Sequence, residues 1–364
     1  MVKKSIGGAL GLVVLALVVI AVSVVRFDIP RAELARTYAN ASSQFLTLPD
    51  GTIAHVRDQG VKEGPVLVLV HGSNASLHTW EPWVSLLGDR FRIVTMDMPG
   101  HGLTGGVPDK DYSREGMVAF THEVAQALGL THYAIGGNSM GGGVAVKYAE
   151  TYPDELTALV LVDASGLPRK APPGEKIPLV FRLARMPILN RILLYVTPRS
   201  IVAEGLHKAF VDQSKVTDEM ITRYYDLALG EGNREATGIR FRQEGPTEAD
   251  ADAVSSIKLP TLILWGERDG LIPVEYADAF ARRIQGAKVV IYKDVGHIPM
   301  EEVAAASARD VRAFLESVVS AQAMGASRDS SPADAGGGAV NVPALTGKGA
   351  VEVSPSAPMD QPAP

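Results

Sequence analysis

A chain of 364 residues is long enough for two average domains or one large α/β domain with insertions. With 46% hydrophobic and 21% charged residues and a net charge of -6, it is neither a disordered regulator nor a collagen-like fibre, and nucleic acid is not its expected partner, because phosphate binding needs a basic field. The absence of Cys excludes disulfides, a thiolate zinc site and a cysteine nucleophile, and leaves the redox compartment open.

In chain order, the first element is an uncharged Val/Leu/Ala-rich run from Ile6 to Val25, flanked by Lys3, Lys4 and Arg26. Twenty residues of helix rise about 30 Å, the thickness of a bilayer core, so the run reads as a membrane anchor within residues 1–27. The alternative is a cleaved signal peptide with Ala21-Val22-Ser23 as its cleavage site. Basic residues balance across the span, so the side of the membrane carrying the rest of the chain is not determined. Residues 28–41 read as a linker.

From Gln44 to Leu48 and Ile53 to Arg57, two strand-like runs flank Pro49-Asp50-Gly51, the signature of an antiparallel hairpin. Continuous apolar runs then recur at Val66–Val70, Phe91–Met96, Tyr133–Ile135, Leu159–Val162, Thr261–Trp265 and Lys288–Tyr292, separated by helix-length segments. That pattern predicts an α/β fold with a mostly parallel sheet covered on both faces. Residues 42–166 and 259–324 form the two parts of this core. Between them, 167–258 holds no strand-like run, only helical patterning broken by prolines, and reads as a helical cap over the sheet's carboxyl edge, inserted before the last two strands. In the cap's first part, Arg182, Arg185 and Arg191 lie among Leu, Ile, Phe and Met, a composition suited to a membrane interface or to roofing a pocket. Residues 325–364, rich in Ala, Gly, Pro and Ser and lacking aromatics, read as a disordered tail.

Gly137-Asn138-Ser139-Met140-Gly141 fits G-x-S-x-G between an apolar strand and a helix-compatible segment. Flanking glycines permit a sharp turn that pushes the Ser139 hydroxyl outward at the top of the sheet. A serine needs a base to take its proton, and His297, in the loop after the last strand, is the candidate. An acid must orient the imidazole. Asp269, just past the Thr261–Trp265 strand, is favoured over Asp163, which follows the preceding strand. The oxyanion needs two amides, expected from Met140 and from Ser73 after His71-Gly72. Asp97 and His101, in the loop Asp97-Met98-Pro99-Gly100-His101-Gly102, read as structural. No Rossmann fingerprint, P-loop or H-E-x-x-H occurs, so no nucleotide cofactor or metal is expected.

Taken in order, His71-Gly72-Ser73, Asp97–Gly102, Gly137–Gly142, Trp265–Asp269 and Gly296-His297 make the chain from about Ser42 to Ser320 resemble the α/β-hydrolase superfamily. The N-terminal apolar segment together with Ser-Met-Gly-Gly and the cap looks like the membrane-anchored monoacylglycerol-lipase-like hydrolases. The resemblance implies a serine hydrolase acting on apolar acyl esters, with membrane lipid as a partner. Ring-cleavage carbon–carbon hydrolases share these motifs and are the alternative, and a non-catalytic ligand-binding relative of the fold is a third. Ser139 argues against dehalogenases and most epoxide hydrolases of the fold, which carry Asp there. Nothing in the sequence reads out the oligomeric state.

Overall fold

Apolar residues at every position of Val66–Val70 require cover on both faces of a strand, and the computed structural model places this run inside an eight-stranded sheet. The structure describes residues 25–168 and 195–329, with side chains to Met324. The strands are β1 (Ser43–Thr47), β2 (Ile53–Gly60), β3 (Val66–Val70), β4 (Arg92–Met96), β5 (Tyr133–Asn138), β6 (Leu156–Val162), β7 (Thr261–Gly266) and β8 (Lys288–Tyr292), in the order β1-β2-β4-β3-β5-β6-β7-β8. The hairpin β1–β2 is antiparallel and joins β4 antiparallel; all further pairings are parallel. This is the α/β hydrolase architecture expected from the sequence.

Alternate side chains divide two cores. Val68, Val70, Ile135, Leu161 and Ile263 face one side, under α3 (Arg114–Ala127), α4 (Met140–Thr151) and α9 (Glu275–Ala281). Leu67, Leu69, Val160, Val162 and Leu264 face the other, where Trp83 and Leu87 of α2 (Glu81–Leu87) and Val311 and Phe314 of α11 (Ala304–Asp329) pack. Each fully buried Val, Leu or Phe contributes about 1.5–3 kcal/mol, so the all-apolar strands hold the sheet between its layers. In register, Val70 lies beside Gly137, Gly137 beside Leu161, and Val162 beside Leu264, so the parallel strands end level and deliver their following loops to one edge.

Between β6 and β7 the described residues are helical: α5 (Arg199–Ala209), α6 (Asp218–Ala228), α7 (Asn233–Arg240) and α8 (Glu248–Ala253). Residues 31–38, expected as linker, instead form α1 (Arg31–Tyr38), because Leu34 has a hydrophobic seat against Leu103 and Leu227. The stretch before α1 is tied to the cap: Arg26 N donates to Tyr195 O (2.8 Å), Ile29 N to Leu229 O (2.8 Å), and Arg234 pairs with Asp28. The C-terminal helix runs to Asp329, five residues past the expected boundary. A first compact unit ends at Gln322, and of the second only the helical stretch to Asp329 is described. The proposed anchor (save Val25), the basic cap stretch 169–194 and the tail from 330 lie outside the described residues. Among the described residues no helix is long and apolar enough to cross a membrane.

Candidate active site

Strand β5 ends at Asn138 and helix α4 begins at Met140, leaving Ser139 as the single residue of the turn. Its backbone has φ 54° and ψ -119°, a conformation that costs a non-glycine residue about 1–3 kcal/mol. Three hydrogen bonds hold it there: Ser139 N donates to Val162 O (3.1 Å), and Ser139 O accepts from Gly143 N (3.1 Å) and Ser165 N (2.9 Å). Gly137 and Gly141 allow the close approach, since a Cβ on Gly137 would lie 2.1 Å from Gly141 O and one on Gly141 2.1 Å from Val70 O. The half-buried serine therefore stands at the sheet's carboxyl edge with its side chain turned out of the packing.

The loop after β8 carries His297. Its N–H donates to Ala209 O (2.7 Å) at the end of α5, and Nδ1 donates to Asp269 Oδ2 (2.7 Å). Asp269 Oδ1 accepts from Leu271 N (2.7 Å) and Ile272 N (3.0 Å), so the orientation of the carboxylate is fixed. Asn138, beside the serine, reaches across: its Nδ2 donates to Val162 O (3.1 Å) and His297 O (3.0 Å), joining the serine turn to the histidine loop. Glu302, on α10 (Pro299–Glu302), accepts from Gly296 N (2.7 Å) through one oxygen and from Val211 N (2.9 Å) and Asp212 N (2.6 Å) through the other. No hydrogen bond closes from Ser139 Oγ to His297 among the described residues; in unliganded sites this bond is often long and tightens with substrate.

Asp163, the rival acid, is fully buried at the end of β6 with φ 45°. Oδ1 accepts from Gly266 N (2.9 Å), while Oδ2 has no partner among the described residues. Burial, reinforced by the nearby Asp269 carboxylate, pushes its carboxyl well above the ordinary carboxylate range. Asp163, Asp269 and His297 each offer one ligating atom within 4.8 Å of the others. Yet His297 Nδ1 and Asp269 Oδ2 are spent on each other, and burial disfavours charge on the remaining carboxyl, so the donor set suits a hydrogen-bonded chain better than a cation.

Ser73 and Met140, the expected oxyanion donors, come together beside Ser139. A Cβ on Gly72 would lie 3.2 Å from Ser139 Cβ, so the turn that carries Ser73 abuts the serine. Neither the Ser73 nor the Met140 N–H has an acceptor among the described residues. Arg240, at the end of α7, spans both residues, with Nη2 3.3 Å from Ser73 Oγ and Nη1 3.9 Å from Met140 Sδ. Beneath it His71 and His101 stack edge-on. Burial lowers the pKa of both, and each is neutral with a fixed tautomer: Nδ1 donates to Gly72 O (2.7 Å) in His71 and to Pro99 O (3.0 Å) in His101.

A second Ser-His-Asp chain exists on the hairpin side: Ser43 Oγ to His55 Nε2 (2.8 Å), and His55 Nδ1 to Asp97 Oδ2 (2.7 Å). It differs in what surrounds the serine. Ser43 sits within β1 paired with Arg57, and its oxygen already accepts from Asn40 N (3.1 Å) and Arg57 Nε (3.3 Å), which draws electron density away from a nucleophile. Asp97 also accepts from Leu77 N and Leu103 N, both at 2.8 Å. Burial opposes its ionisation, but His55 together with the nearby His71 and His78 holds the carboxyl below the ordinary range. This web ties strand ends and loops together, in keeping with the structural role read for Asp97.

Asn138, Glu302 and Arg240 were not singled out from sequence. Asn138 had a signal, being the x beside the serine in G-x-S-x-G; Glu302 and Arg240 had none, because the contacts that bring them to the site, to Val211 and Asp212 and to Ser73 and Met140, lie far away along the chain. The profile of the alpha/beta hydrolase fold family matches residues 65–303. Lipase 1 of Psychrobacter immobilis is 26% identical over 296 residues, covering 79% of this chain and 88% of the relative. Monoacylglycerol lipase ABHD6 of Homo sapiens is 27% identical over 257 residues, covering 70% and 76%. The crystal structure of a membrane phospholipase A, a bacterial virulence factor, is 26% identical with a TM-score of 0.62, covering 87% of this chain and 99% of that one.

Proposed function

We propose, for a chain that belongs to the alpha/beta hydrolase fold family, that this hydrolase cleaves carboxylic esters of lipid-like, apolar acyl groups through an acyl-enzyme on Ser139. The observation that carries this reading is the 2.7 Å Asp269–His297 pair, tied through Asn138 to a strained serine at the strand–helix turn. Ser139 Oγ attacks the acyl carbonyl as His297 Nε2 takes its proton. Asp269 keeps the imidazole in the Nδ1–H tautomer and stabilises the imidazolium. The amides of Met140 and Ser73 hold the tetrahedral oxyanion, that of Met140 aided by the helix N-terminus. His297 then protonates the departing alkoxide, and water, activated by the same imidazole, releases the acid.

An apolar acyl group is supported by the lipases and monoacylglycerol lipase to which the chain is similar. In this reading residues 6–25 anchor the protein in a membrane, residues 167–258 cap the site, and the substrate is drawn from lipid. Labelling with a fluorophosphonate, followed by p-nitrophenyl esters of increasing acyl length, tests it. Label on wild type and its loss in Ser139→Ala support the nucleophile, and a rise in kcat/KM from acetyl to octanoyl supports the apolar acyl group. Equal labelling of both proteins defeats the reading.

A further inference from the structure

Arg240 is held at the site by a helix that does not need it for attachment. Helix α7 is seated by Asn233, whose Nδ2 donates to Gly102 O (3.1 Å) and Leu227 O (2.7 Å), and by Ala236, packed so closely that a Cβ on Gly100 would come within 2.2 Å of it. Arg240 then extends from the last turn over the candidate oxyanion residues. Every partner it has there is neutral: His101 Nε2, the hydroxyls of Ser73 (3.3 Å) and Thr237 (3.2 Å), and the Met140 thioether (3.9 Å). His101 Nδ1–H is committed to Pro99 O, so its Nε2 is an acceptor and the ring carries no charge.

Two other cap arginines are paired with carboxylates. Arg199 reaches Asp218 (2.7 Å) and Arg234 reaches Asp28 (3.0 Å through Nε), whereas among the described residues no carboxylate contacts Arg240. Its side chain is nonetheless partly buried, and burial lowers its pKa to about 10. A partly desolvated charge without a counter-charge is costly, and a glutamine would serve the same neutral partners without that cost. The cost becomes intelligible when a ligand supplies the negative charge.

We propose that Arg240 is a specificity-determining anion site that selects esters whose alcohol half carries a phosphate or carboxylate near the scissile carbonyl. The inference rests on the ester-hydrolase reading above. The apolar acyl half leaves the alcohol half to bear the charge, and the contacts of Arg240 with both Ser73 and Met140 set that charge close to the reacting carbonyl. A guanidinium fork matches either anion with two parallel hydrogen bonds.

The test uses the full chain in a neutral detergent and three octanoyl esters with a common acyl chain: of glycerol, of glycerol 3-phosphate and of glyceric acid. The expected result is that Arg240→Gln lowers the ratio of kcat/KM for an anionic ester over the neutral one by about 10- to 100-fold, the range of a charge-assisted hydrogen bond, with Arg240→Lys between. The phosphate and carboxylate arms show which anion is preferred. Calorimetric binding of hexyl phosphate, expected to weaken by a similar factor in Arg240→Gln, gives a readout without turnover. An unchanged ratio, an equal loss on charged and neutral esters, or hexyl phosphate binding indifferent to Arg240 overturns the inference. Wild-type inactivity on all three esters with Arg240-dependent phosphate binding intact would defeat the ester reading instead.

Discussion

Replacing Asp269 by Ala should damage catalysis less than replacing it by Asn, although Asn is the closer isostere. Two backbone amides, Leu271 N at 2.7 Å and Ile272 N at 3.0 Å, fix the orientation of the 269 side chain by demanding an acceptor at Oδ1. An asparagine in that orientation presents its NH₂ to His297 Nδ1 and locks the imidazole with its proton on Nε2, where it cannot accept from Ser139; such a tautomer error costs about 10⁴ in kcat. Alanine makes no such demand, and it removes the charge that, second to burial, raises the Asp163 pKa. The imidazolium that forms in the reaction lies within 4.8 Å of Asp163 and favours its ionisation. At an effective dielectric of about 20, a carboxylate at the 2.7 Å of Asp269 attracts an imidazolium by about 6 kcal/mol, and one at 4.8 Å by about 3.5 kcal/mol. The shortfall of about 2.5 kcal/mol corresponds to about a 100-fold loss, against about 10⁴ for Asn. The assay is kcat on a soluble p-nitrophenyl ester for Asp269→Ala, Asp269→Asn and Asp163→Asn/Asp269→Ala, with thermal unfolding to show that each protein is folded. The double variant should fall to the level of Asp269→Asn. If it equals Asp269→Ala, or if Asn proves milder than Ala, Asp163 is not a reserve acid and the reasoning is refuted.

Ser139→Ala should lower kcat by about 10⁴–10⁶ and abolish fluorophosphonate labelling, whereas Ser43→Ala should label like wild type; label that depends on Ser43 would show that the hairpin-side chain of Ser43, His55 and Asp97 is reactive. Asp163→Asn should stabilise the fold at pH 7. A carboxyl whose folded pKa is raised binds a proton on folding, so wild-type stability declines as pH rises above the unfolded value of about 4, and the gain should vanish below it; urea unfolding at pH 7 and pH 3.5 reads the difference, and a loss of stability at both would contradict it. Asp97 has the opposite sign. Its depressed folded pKa contributes stability above about pH 4 that fades only as pH falls through the lower folded value, so Asp97→Asn should destabilise at pH 7 and the difference from wild type should shrink under acid. Gly137→Ala, which would place a Cβ 2.1 Å from Gly141 O, should cost about 1–3 kcal/mol or more and lower Tm measurably; an unchanged Tm would mean that the turn has more room than the structure gives it.

What the residues determined by themselves was local and repetitive. Val66–Val70 is apolar at every position, and Leu262–Trp265 likewise, because both faces are covered, and a two-sided sheet follows from that composition without knowledge of the partners. The Ser139 turn was legible for a similar reason, since its strain is met by glycines within two residues. The tertiary structure decided whatever depends on groups far apart in sequence. Residue types alone do not distinguish Ser139, Asp269 and His297 from Ser43, His55 and Asp97. The difference is that one serine is thrust from a strained turn while the other is bonded within a strand. Asp163 looked like a competitor to Asp269, and only three-dimensional placement shows that Asp269 meets the imidazole and two backbone amides while Asp163 is buried with one oxygen unpartnered among the described residues. The helix over Arg31–Tyr38 was read as linker because its apolar content is slight; one leucine suffices once Leu103 and Leu227 supply the other walls. Arg240 carried no signal at all, because a surface arginine and one partly buried against neutral partners are the same letter until a fold sets it there without a carboxylate among the described residues.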